Sequence, residues 1–129
     1  MKAYKVVLNT GRECGLVSSY AYLILRSYIT YKPGQWVKPK PGCGPLAAFR
    51  TFKHAKIYAV KLRADIEMCE IWEADVMPWK ERLPRVGLDS GGPVPIALWD
   101  RRQTALTPFE LPRGTLLCQA IKLTQKVWP

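Results

Sequence analysis

The chain has very little of what most metal and acid–base sites are made from. It holds a single histidine, His54, in 129 residues. Its cysteines, Cys14, Cys43, Cys69 and Cys118, form no Cys-x-x-Cys pair. Zinc sites usually bring ligands in closely spaced pairs, because one tight turn can present two thiolates. That spacing is missing, so no metal or cofactor is expected, and the cysteines read as buried free thiols. Long apolar runs are also lacking. The longest candidate, "YAYLILRSYITY", is interrupted by Arg26 and is too short to span a bilayer. The opening "MKAYKVVLNTGREC" returns to charge and polarity too soon for a signal peptide. These absences argue against a membrane protein and for a cytoplasmic one. A chain of this length is read as one domain, residues 1–129, able to bury its own core.

Acidic charge is scarce in one place in particular. From Cys14 to Ala64 every charged residue is a base, and the formal net charge of the chain is +10. The sign then flips: Asp65, Glu67, Glu70, Glu73 and Asp75 follow with no base until Lys80. A basic block of this kind attracts nucleic acid or another polyanion. The plainer reading is that the two blocks pack together and partly neutralise. Both are mixed with Tyr, Trp, Ile and Leu, so both belong to folded structure.

One stretch invites a specific reading. "GLDSGGPVPI" contains Asp89-Ser90-Gly91-Gly92-Pro93, the sequence around the nucleophile of chymotrypsin-like serine proteases, and His54 and Asp65 precede Ser90 in the family's order. Such a mechanism needs His to take the serine proton, Asp to hold the imidazole and backbone N–H groups to bind the oxyanion. The surroundings do not fit. His54 sits in "TFKHAKIYAVKL", which reads as a helix, and Leu88 stands where the family has glycine. His54 and Asp65 are too close in sequence to come from separate barrel elements, and the chain is too short for two barrels. Asp, Ser, Gly and Pro together are ordinary turn chemistry.

The order of elements points to an α+β fold. Residues 3–9, "AYKVVLN", read as a strand, "TGRECG" as a turn and "LVSSY" as the start of a second strand. Residues 20–31 are aromatic and β-branched enough for a strand, with a helix over Ala21 to Leu25 as the alternative. Prolines and glycines make 33–45 a loop, and "LAAF" a short buried strand. Thr51 is an N-cap for a helix over about 51–62, whose apolar face carries Phe52, Ala55, Tyr58, Ala59 and Leu62. Lys53, Lys56 and Arg63 fall on the opposite side, with His54 and Lys61 nearer its flank. A strand over 68–76, a Pro/Gly loop over 78–95, a short strand at "IALWD" and a last strand from about Thr115 complete the chain. The expected architecture is a largely antiparallel sheet with one packed helix and two long Pro/Gly loops.

The succession "AYKVV", "YKPGQW", "FRTFKHAKIYA", "EIWEADV", "GTLLCQAIKL" resembles small proteins of phage and prophage genomes. The resemblance implies a mobile-element origin and an intracellular setting, and carries no function with it. A second stretch, "PGCGPL" followed by Phe49 and the Ala55/Ala59 helix, is similar to the Gly-x-Gly-x-x-Phe segment of ADP-ribosyltransferases. That resemblance implies an NAD cleft in a small split sheet. The family uses Arg or His on the first strand, where this chain has Lys5. Ser18, Ser19 or Tyr31 would take its Ser/Tyr place. Its late Glu would be Glu70 or Glu73, which lie three apart and so face opposite sides of a strand.

The leading expectation is a non-enzymatic, basic mobile-element protein that binds nucleic acid or a nucleic-acid-handling partner. Its candidate binding residues are Lys38, Lys40, Lys53, Lys56 and Arg63, with Trp36 for base stacking. The ADP-ribosyltransferase-like enzyme and a purely structural interaction module are the alternatives. For Ser90 the expectation is direct: a fluorophosphonate probe leaves the protein unlabelled, and Ser90→Ala changes no activity. Covalent labelling at Ser90 would restore the protease reading.

Overall fold

The computed structural model describes residues 1–11, 15–18, 29–39, 45–63, 68–80 and 113–129. Among these residues seven strands and one helix follow in the order β1 (Lys2–Asn9), β2 (Leu16–Ser18), β3 (Thr30–Tyr31), β4 (Trp36–Val37), β5 (Leu46–Phe49), α1 (Phe52–Arg63), β6 (Cys69–Pro78) and β7 (Thr115–Trp128). Every strand pairing is antiparallel. The fold is therefore α+β, as the sequence pattern implies.

The pairing runs in a circuit. β1 pairs with β6, β6 with β7, β7 with β5, and β5 returns to β1 through Tyr4 opposite Phe49. β2 and β3 extend the free part of the β1 edge, and β4 pairs beside β5 on the same edge of β7. β7 is long enough, at 14 residues, to serve all three partners, and three register shifts against β6 let it bend. Enclosed by this curl is a core built from Ala3 and Val7 of β1, Tyr31, Leu46, Ala48, Ala74, Val76, Leu116, Cys118, Ile121 and Leu123.

A second core lies on the other side of β1. Val6 and Leu8 pack with Phe49, Cys69, Ile71 and the helix residues Ala55 and Ala59. Phe52, Tyr58 and Leu62 flank this layer, with Tyr4 edge-on to Phe52 at 5.9 Å and Phe49 against Tyr58 at 5.3 Å. The apolar helix face predicted from spacing is thus the face that packs. Thr51 caps the helix as expected: its Oγ1 accepts the N–H of His54 at 3.3 Å and lies 2.9 Å from His54 Nδ1.

Some boundaries differ from the pattern-based reading. The 33–45 stretch contains β4, because two ladder positions at Trp36 and Val37 suffice between Pro33 and Pro39. Two residues are too few for an alternation to show. The preceding Lys32-Pro33-Gly34-Gln35 segment has the residues of a type II turn, with Gly34 at φ +82° and Gln35 N–H bonded to the Lys32 carbonyl at 3.1 Å. Of the 20–31 strand, Thr30 and Tyr31 are observed in β3, while 20–28 lie outside the described residues, as do the "IALWD" strand and most of the 78–95 loop. Among the described residues no helix is long and apolar enough to cross a membrane.

Gly114 joins the helix start to β7. It sits at φ +81°, its carbonyl accepts the Arg50 N–H at 2.9 Å, and a Cβ there would lie 2.6 Å from the His54 ring. Gly34 has the same backbone conformation with open space around it. Gly34→Ala should therefore cost about 1–2 kcal/mol, the left-handed penalty alone. Gly114→Ala adds an overlap with the imidazole and should cost about 2–5 kcal/mol. Urea unfolding of both variants checks the ordering; equal losses would mean that His54 moves aside freely.

Candidate functional site

Helical spacing divides α1 cleanly. With Ala55 and Ala59 buried, positions 53, 56, 57, 60 and 61 point outward. They are Lys53, Lys56, Ile57, Val60 and Lys61, and together they line a shallow, open groove on the outer face of α1. Ile57 is 47% exposed and Val60 50%. The lysines thus rim an aliphatic floor. Lys53 and Lys56 were legible in the sequence as outward bases. Ile57 and Val60 were not singled out, although they stand three apart and off the packed face.

Arg63 is the last residue of α1. Lys40 lies outside the described residues. Trp36 and Lys38 belong to β4 and the residues after it. β4 pairs with β7, whereas α1 packs on β1, β5 and β6. Trp36 is 42% exposed, but the Lys122 ammonium stands 5.1 Å from its ring centroid, so one face of the indole already holds a cation. The described members of the predicted set thus belong to two elements, α1 and the region of β4.

The described acids find their partners away from the basic block. Glu73 is 3.0 Å from Lys2 Nζ, Asp75 is 3.8 Å from Lys122 and Glu70 is 3.4 Å from Lys126. These lysines come from β1 and β7. Asp65 and Glu67 lie outside the described residues. Among the described residues no carboxylate pairs with Lys53, Lys56 or Lys61.

The curled sheet holds a second polar group. Lys5 is only 2% exposed, yet its Nζ donates to the Ala47 carbonyl at 2.6 Å and lies 5.4 Å from the Tyr31 ring centroid. Opposite it in register is Trp72, whose indole N–H donates to Glu70 Oε1 at 3.1 Å. Asn9 Nδ2 donates to Glu70 Oε2 at 3.0 Å. Glu70 is buried and Glu73 is half-exposed beside Lys2, in line with their odd spacing. Lys5, Tyr31 and Glu70, named for the transferase alternative, are thus all buried. Lys5 is committed to a backbone carbonyl, and both oxygens of Glu70 accept hydrogen bonds. Cys69 and Cys118 are buried in different cores, and no group of three metal-ligating side chains occurs among the described residues.

Burial pushes the Glu70 carboxyl up, but the hydrogen bonds from Asn9 and Trp72 and the charge of Lys126 outweigh it and hold its pKa below the ordinary 4.5. A carboxylate depressed in the folded state contributes stability that is complete above its unfolded pKa and is lost as pH falls through the lower folded value. Glu70→Gln should therefore flatten the acid limb of the stability profile below about pH 4.5. Glu70→Ala, which strands the Asn9 and Trp72 donors, should cost about 1–3 kcal/mol at neutral pH. Urea unfolding across this pH range measures both, and an unchanged acid limb in Glu70→Gln would mean the carboxylate is not held charged. No protein-family model, curated protein or solved structure matches this chain.

Proposed function

We propose that the protein is a non-enzymatic binding module for nucleic acid, and that the outward face of α1 is its binding surface. One observation supports this most. The acids that follow the basic block in sequence, where they are described, are matched by Lys2, Lys122 and Lys126, which leaves Lys53, Lys56 and Lys61 without carboxylate partners among the described residues. Lysines held along one helix face are suited to a polyanion, because each phosphate they meet releases condensed counterions. The engagement of Lys5 with Ala47 and of Glu70 with Asn9, Trp72 and Lys126 supports a structural role for the buried cluster rather than NAD chemistry.

Ion pairs with phosphate position a strand and read little sequence. The double variant Lys53→Glu, Lys56→Glu should weaken binding to every sequence. It should also reduce the slope of log affinity against log salt by about 0.7–0.9 for each phosphate that is no longer neutralised. Its melting temperature should stay close to that of the parent, since exposed charges contribute little to stability. Fluorescence polarisation with labelled oligonucleotides over a salt series is the measurement. Binding that ignores salt, or ignores the charge reversal, favours the purely structural module.

A further inference from the structure

The groove on α1 is not only basic. Its floor is Ile57 and Val60, each about half exposed, and its rim is Lys53, Lys56 and Lys61. Phosphate has no use for that floor. An aliphatic surface facing a duplex backbone stays wet and gains nothing, because the base faces of a duplex are already stacked on one another. An unpaired base offers a flat apolar face attached to a phosphate at either side, which matches an apolar floor between cations.

We infer that this groove binds single-stranded nucleic acid, seating an unpaired base on Ile57 and Val60 while the flanking phosphates meet Lys53, Lys56 and Lys61. The inference rests on the nucleic-acid reading above and names its substrate class. Charge complementarity selects an anionic occupant. Size selects against a partner protein, whose stable interfaces bury about 1,200–2,000 Å²; among the described residues the apolar floor is two side chains.

The test compares two strands of equal length and charge: a labelled oligothymidylate and the same strand with every base removed. Wild type should bind the thymidylate about tenfold more tightly, the gain expected from half-burying two aliphatic side chains. Ile57→Ser, Val60→Ser should bring the two strands to parity while leaving the abasic strand and a duplex unaffected. Lys53→Glu, Lys56→Glu should weaken both strands together. The wild-type ratio needs no variant, and the Ile57 and Val60 methyl resonances should shift with the thymidylate and not with the abasic strand. Equal binding of the two strands by wild type, with lysine dependence intact, overturns the base-seating inference and leaves the nucleic-acid reading standing. Failure of every strand to bind overturns both, and points to a protein occupant for the groove.

Discussion

Everything in this molecule leans on β1 having no solvent face. Its residues from Ala3 to Leu8 are buried or nearly so on both sides. Ala3 and Val7 belong to the core inside the curled sheet, and Lys5 is buried with them; Tyr4, Val6 and Leu8 belong to the layer under α1. Because side chains alternate at a period of two, a one-residue slip would exchange the two sets. Lys5 would then enter the apolar layer beneath the helix, away from the Ala47 carbonyl and the Tyr31 ring. The buried lysine thus helps to fix the register, a role for which a paired polar group in a core is well suited.

From that register the rest follows. Pairing of Val7 with Glu70 and of Lys5 with Trp72 sets β6, and β6 in turn carries β7. β7 then bends past β6 to meet β5 and β4 on its other edge. The helix packs through two alanines, and small side chains let it approach β1 closely. Ile57 and Val60 stand off the face formed by Phe52, Ala55, Tyr58, Ala59 and Leu62, and so remain half exposed alongside three lysines.

Charge is distributed by the same geometry. In sequence the basic and acidic blocks are neighbours and invite the picture of mutual neutralisation. In space the β6 carboxylates face β1 and β7, whose lysines take them up. The helix lysines come from the other block and gain nothing from this arrangement. Adjacency along the chain says little about adjacency across a sheet, because cross-strand partners are set by register and not by sequence distance.

The local elements were legible in the residues. The Val-rich start of the chain, the Pro-Gly turn before Trp36, the Thr51 cap, the Ala55/Ala59 helix face and the strand from Thr115 each carry their own short-range signal, and so does the odd spacing that separates buried Glu70 from outer Glu73. Lys53 and Lys56 were also readable as outward bases, since helical periodicity alone assigns them. What tertiary structure decided was every relation between distant residues. Closure of the sheet through Tyr4 and Phe49, burial of Lys5 and the two-residue strand at Trp36 all depend on which strand lies beside which. So does the exposure of Ile57 and Val60: an aliphatic residue at helical spacing is covered or bare according to how much of the helix its neighbours reach. No local pattern contains that information, because it belongs to long-range pairing.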